Sequence, residues 1–268
     1  MTEMALAWYV YCIVPAGEVP TLEGLAGVDS SFDIGCVTEG ELSAVVSRVR
    51  LEEFSAEALK RNLEDLVWLE RVGFAHNAVL ARVITGEAVV PLRLCTIFAG
   101  EEGVRDALRR ERNPLLAALR RVRGHAEWSV KVLVDVRTLE AAARERDPVP
   151  VGSDPQSAGH AFFARKRLEH TARDHVHAEI EQVAEETHAR LQGRAAAATR
   201  LPPQDRRVSG RPGQMVLNGA YLVEGSRAAE FAALAKEIDA SHRATGLALE
   251  LSGPFAPYNF VAAWNERT

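Results

Sequence analysis

The chain has 268 residues, 47% of them hydrophobic and 26% charged, the balance of a folded protein long enough for two domains. The net charge of −5 excludes a generally basic nucleic-acid binder and leaves only a local basic patch open. Cys12, Cys36 and Cys95 are odd in number and widely spaced, which argues against a disulfide framework or a zinc site. Each lies in an apolar stretch and is expected to be a small buried hydrophobe.

Residues 6–14, rich in β-branched and aromatic types and ended by Pro15-Ala16-Gly17, predict a buried strand. Residues 33–37 and 42–49 predict a hairpin about Glu39-Gly40. Ser55 offers an N-cap to one long helix running to Thr85, with Gly86 closing it. A short strand over 88–94 follows, then a charged helix over 101–123 in which Pro114 either bends the helix or starts a second one. Residues 127–136 alternate, with Trp128, Val130, Val132 and Val134 on one face, and predict a half-buried strand. Prolines 148, 150 and 155 mark a linker. The longest helix spans 158–198, with Leu168, Ala172, Val176, Ile180, Val183, Thr187 and Leu191 along one face. An exposed loop over 200–213 leads to a strand at 214–224, a helix at 226–242 capped by Ser226, and strands at 246–252 and 258–264. The fold class is therefore α+β, divided as a domain over 1–147, a linker over 148–157 and a domain over 158–268. The apolar run over 4–14 is too short to span a bilayer, the one over 87–99 is cut by Arg93, and no leader is visible, so a soluble, cytoplasmic protein is expected.

Several constellations bear on chemistry. His170, Asp174, His177, Glu181 and His188 fall on one side of the long helix, since spacings of 7 and 11 residues bring the histidines within about 20° of one another. That stripe lies far from the helix's apolar face, so it is expected to meet water and hold no metal. The patterns GxSxG, GxxxxGK[ST], GxGxxG and HExxH are all absent, so no catalytic residue or cofactor is nominated. Residues 105–123 carry seven arginines against Asp106 and Glu111, and their exposed side, with Arg109 and Arg120, is a candidate contact for an acidic partner. The same basic face supports the alternative of a nucleic-acid-binding regulator, without the aromatic platforms such a surface normally adds. Near the C-terminus, Phe260 and Trp264 share a strand face and are either small-core aromatics or a partner-binding pair.

Seven segments in order resemble the gas vesicle protein F/L family (GvpL/GvpF). They are Tyr9-Val10-Tyr11-Cys12-Ile13-Val14-Pro15-Ala16, Leu42-Ser43-Ala44-Val45-Val46-Ser47, His76-Asn77-Ala78-Val79-Leu80, Val89-Val90-Pro91-Leu92-Arg93-Leu94-Cys95-Thr96-Ile97-Phe98, Glu127-Trp128, Leu217-Asn218-Gly219-Ala220-Tyr221-Leu222-Val223 and Gly253-Pro254-Phe255-Ala256-Pro257-Tyr258-Asn259-Phe260-Val261. Phe255 and Ala256 replace the family's Trp and Pro, and Cys95 stands where the family tends to have Gly. The resemblance implies two α+β domains, the second ferredoxin-like. It also implies a non-enzymatic accessory or minor structural protein of gas vesicles. Such a protein would bind the hydrophobic major shell protein (GvpA) and keep it from aggregating, assist nucleation and assembly of the shell, and meet other accessory proteins. No nucleic acid, membrane or small-molecule substrate is implied.

Overall fold

A computed structural model describes residues 5–84, 88–146, 158–204, 213–243 and 246–261, with backbone alone at 142–146, 158–169 and 172. The chain separates into two compact units, Met1–Glu127 with Pro254–Thr268, and Trp128–Gly253.

In the first unit the strands β1 (Leu6–Pro15), β2 (Ile34–Glu39), β3 (Leu42–Arg50) and β4 (Val90–Pro91) lie in the order β2-β3-β1-β4, and β5 (Ile97–Phe98) also pairs with β1. The β2–β3 hairpin turns at Gly40, whose φ of +58° suits a residue without Cβ. β1 is central, and its near-continuous apolar run is the mark of a strand buried on both faces. Its pairing with β3 slips between Val10 and Cys12, a bulge that turns both Tyr11 and Cys12 to the same face of the sheet. That face packs against α1 (Leu51–Phe54), α2 (Ala56–Asn62) and α3 (Leu66–Val83) in a core built on Tyr9, Tyr11, Phe54, Val72 and Leu80. Val10, Ile13 and Val46 face the other way, against Leu108 of α4 (Glu101–Arg110) and Leu115 and Leu119 of α5 (Arg112–Val122).

Local capping reshapes the expected helices. The single helix expected over 55–85 is two, α2 and α3, with the short α1 ahead of them. Ser55 accepts from the Ala58 N–H at the start of α2, and Asp65 Oδ1 accepts from Val67 and Trp68 N–H at 2.9 and 3.3 Å to start α3. A carboxylate that caps a new helix ends the old one. Pro114, in the first turn of α5, lies where a proline is tolerated, so the charged segment is two helices. The strand expected over 88–94 shrinks to β4, because Pro91 has no N–H to extend the ladder.

The second unit carries β6 (His125–Val134), α6 (Val136–Arg146), α7 (Ala158–Gln192), β7 (Ala197–Arg200), β8 (Gln214–Glu224), α8 (Ala228–His242) and β9 (Leu247–Phe255), with sheet order β7-β8-β6-β9. β6 begins this sheet, so the change of unit falls at 127/128, upstream of the expected linker, which lies outside the described residues. Gly86 and the greater part of the 200–213 loop lie outside them as well. α6 is an unanticipated helix, with Asp135 Oδ1 accepting from the Arg137 and Thr138 N–H groups. α8 starts at Ala228 after a short 3-10 turn, with no side-chain cap from Ser226. β9 runs straight through Gly253-Pro254, where a turn was expected. Residues 258–260, expected as strand, form a turn closed by Phe260 N–H donating to the Pro257 carbonyl at 3.1 Å. This tail segment counts with the first unit. Of the cysteines, Cys12 is buried, Cys95 is half-buried and Cys36, on the outer strand of its sheet, is exposed contrary to expectation.

Candidate partner-binding surface

Helix α3 has two apolar faces. Its inner face buries Trp68, Val72, His76, Val79, Leu80 and Val83. Its outer face exposes Leu66 (78%), Val67 (76%) and Phe74 (69%), with Leu63 (47%) just ahead of the helix. Most apolar helix faces in a folded domain find a partner inside it, and clustered exposed ones mark interaction sites. The patch belongs to a firmly held element. Glu53 Oε2 accepts from Trp68 Nε1 at 3.0 Å and from Arg71 Nη2 at 2.6 Å, and Arg71 Nη1 donates to the Val28 carbonyl at 3.2 Å.

Beneath α3 runs a chain of linked polar groups, buried at Tyr9 and His76 and reaching the surface at Tyr258. The Cys95 N–H donates to Tyr9 Oη at 3.1 Å, Tyr9 Oη lies 2.9 Å from His76 Nδ1, and His76 Nε2 lies 2.9 Å from Tyr258 Oη. Tyr11 Oη accepts from the Val28 N–H and lies 2.8 Å from Ser47 Oγ. Burial holds His76 neutral, lowering its pKa to about 4 against an opposing hydrogen bond to the Leu92 carbonyl, and burial raises the Tyr9 and Tyr258 hydroxyls well above their usual range. Tyr258 thereby ties the tail segment to α3. Beside it the Glu127 carboxylate accepts from the Asn259 N–H at 2.9 Å and from Asn259 Nδ2 at 2.6 Å. Burial raises the Glu127 pKa against those bonds. The chain satisfies polar groups that a sheet buried on both faces would otherwise leave unpaired, which is a structural task.

The residues nominated from sequence are distributed differently from expectation. Arg109 reaches Glu39 at 3.0 Å, Glu102 at 2.9 Å and Asp106 at 2.5 Å. Arg105 pairs with Glu101 and Glu39, Arg110 with Glu111, Arg112 with Glu41, and Arg123 with Glu18. Acids from the β2–β3 turn and the first turn of α4 thus neutralise much of the local excess charge, which weakens the nucleic-acid alternative. Arg120 is exposed on α5. Phe260 is 4% exposed, so it packs in the core and presents no outer surface. Trp264 lies outside the described residues. Of the histidine stripe, His177 and Glu181 are exposed and His170 bonds Asp174 at 2.8 Å, whereas His188 turns inward, with Nδ1 2.8 Å from Tyr221 Oη. Burial and the nearby Arg200 lower the pKa of His188. Among the described residues no group of three or more His, Cys, Asp or Glu side chains is arranged to hold a metal ion, and no helix is long and apolar enough to cross a membrane. The α3 patch was missed because 55–85 reads as one helix with a buried side. The available signal was the leucine, valine and phenylalanine left over after the inner 68-72-76-79-83 stripe is assigned.

The model of the family described as gas vesicle synthesis protein GvpL/GvpF matches residues 7–262. The chain belongs to that family. It is 32% identical over 258 residues to gas vesicle protein L of Streptomyces sp. (strain CB03234), covering 96% of this chain and 94% of the relative. It is 26% identical over 260 residues to gas vesicle protein F of the same organism, covering 96% and 100%. The fold matches the crystal structure of GvpF from Anabaena sp. PCC7120 with a TM-score of 0.70 at 19% identity, over 96% of this chain and 97% of that one. GvpF from Microcystis aeruginosa matches with a TM-score of 0.68 at 20% identity, over 96% and 99%. The family has a gas vesicle role and is not a known enzyme family, and membership accounts for the resemblance carried by the seven sequence segments.

Proposed function

We propose that this GvpL/GvpF protein is a cytoplasmic, vesicle-associated assembly factor that binds the hydrophobic major shell protein (GvpA), keeps it from aggregating and delivers it to the growing shell together with other accessory proteins. The observation that carries this reading is the exposed apolar face of α3 in a chain belonging to a gas vesicle family. A shell subunit whose finished surface excludes water exposes apolar area before assembly, and such area self-associates unless something covers it. A rigid helix with an apolar outer face covers it without unfolding its carrier. Arg120, exposed on α5, is a secondary contact for an acidic segment of the same partner.

The proposal includes the architecture. The second unit runs β-α-α-β-β-α-β, and its sheet order places the second, third, first and fourth strands side by side, the order of a ferredoxin-like domain. If residues 128–253 form a domain of their own, that fragment expressed alone unfolds cooperatively, and a fragment without a cooperative transition argues against two domains.

The functional test is co-expression of the full chain with the major shell protein. A shell protein that moves from the pellet to the soluble fraction and co-purifies supports the escort role. A shell protein that stays in the pellet, or is soluble without co-purifying, refutes it.

A further inference from the structure

The outer face of α3 specifies what docks on it. Val67, Glu70, Phe74, Asn77 and Ala81 follow one another along α3 at alternating steps of three and four residues, and all five are exposed, with Leu63 beside them ahead of the extended Asp65. That alternation keeps one seam facing a neighbouring helix, as in coiled-coil packing. Next to Phe74, a Cβ built on Gly73 meets nothing within 4 Å, so a partner side chain has open space beside the ring.

Charge and area select the occupant. Glu70 lies between Val67 and Phe74 on the seam, with no ion-pair partner among the described residues, while the neighbouring Arg71 is engaged by Glu53 and the Val28 carbonyl. An apolar surface with an acid at its centre favours a basic group and disfavours an acidic one. A second copy of this chain fits poorly, because a two-fold contact centred on this stretch brings Glu70 towards its own equivalent. With side-chain areas of roughly 150–250 Å² for the largest residues, the four exposed apolar side chains offer on the order of 500 Å². That falls short of the ~800 Å² per partner of a standard interface and suits one helix.

We infer that the outer face of α3 docks an amphipathic helix whose apolar stripe carries a lysine or arginine opposite Glu70. The inference rests on the proposed escort role, in which that helix is a segment of the shell subunit before assembly.

The test uses the full chain and two synthetic helical peptides of Leu and Ala, one with a central Lys and a twin with Glu in its place, read by fluorescence anisotropy. Wild type is expected to bind the Lys peptide about tenfold or more tightly than its twin. Glu70→Lys should reverse that preference, and Phe74→Asp should weaken both peptides by more than tenfold while unfolding at the same temperature as wild type. Equal affinity for the two peptides, no reversal in Glu70→Lys, or undiminished binding by Phe74→Asp overturns the inference. So does concentration-dependent self-association that Phe74→Asp abolishes, since the face would then pair with its own copy. Co-expression separates the two claims. If wild type, Phe74→Asp and Glu70→Lys all solubilise the shell protein equally, α3 is the wrong surface and the escort role stands. If wild type fails to solubilise it, the escort role falls and the peptides alone decide the chemistry of α3.

Discussion

Helix α3 and the α4–α5 pair pack on opposite faces of the same sheet and leave opposite debts. The α4–α5 segment has conspicuous composition, seven arginines in nineteen residues, yet Arg105, Arg109 and Arg112 fold back onto Glu39, Glu41, Glu101, Glu102 and Asp106. α3 has no conspicuous composition, yet it leaves Leu66, Val67 and Phe74 more than two-thirds exposed. Charge density along a chain is a poor guide to unmet interaction, because acids distant in sequence neutralise it at close range. Apolar residues on both sides of a helix are a better guide, because one sheet covers only one side.

The widest contrast lies between two phenylalanines, Phe54 at the end of α1 and Phe74 on α3. Phe54 is 2% exposed and stacks near Tyr9 and Trp68, with ring centroids 6.0 and 5.5 Å away, whereas Phe74 faces outward. Phe54→Ala should cost about 3–5 kcal/mol in denaturant unfolding and Phe74→Ala within about 0.5 kcal/mol. Similar costs would mean that Phe74 is covered and the patch does not exist.

A second contrast is in pH. His76 has its folded pKa lowered to about 4 from 6.5, so between those values the unfolded chain binds more protons and stability falls as the pH falls. Over that window the loss is about 3 kcal/mol, at 1.36 kcal/mol per unit. Glu127, with a raised folded pKa, acts in the opposite sense, contributing stability that is lost as the pH rises through that folded value. Unfolding measured across the window should show wild type losing that amount relative to His76→Gln, which has no imidazole to charge. Parallel curves would show that His76 is not held neutral.

Charge reversal sharpens the comparison on the other face. Arg109→Glu sets a carboxylate against Glu39, Glu102 and Asp106 and should lower the melting temperature, an effect that shrinks in high salt. Arg120→Glu on the exposed side of α5 should leave the melting temperature unchanged. Equal responses would break the picture of an internally neutralised arginine segment.

The smallest effect is expected at Cys95, whose φ of +63° is the single non-glycine value of that sign among the described residues. Relief of left-handed strain by Cys95→Gly, offset by glycine's greater freedom when unfolded, should change stability by no more than about 1 kcal/mol, with a gain if strain dominates. A loss well beyond that in thermal unfolding would mean that the half-buried thiol matters more than the backbone.

Much of the architecture was legible along the chain because its signals are local. The period of two in β6, the apolar run of β1 and the Glu39-Gly40 turn depend on near neighbours, and the seven ordered segments identified the family. Other boundaries moved where short-range competitors won: Asp65 and Asp135 start helices by capping, and Pro91 truncates a strand. The partner surface was not legible, because exposure is a property of what a sheet leaves uncovered. Phe74 and Val79 are both apolar residues of one helix, and only packing against β1 decides that Val79 is core and Phe74 is surface. The same holds for the polar groups, since His76 and Tyr258 are 182 positions apart and meet only when the tail returns to the first unit. Local sequence determines which elements form, whereas long-range packing decides which of their faces is left for a partner.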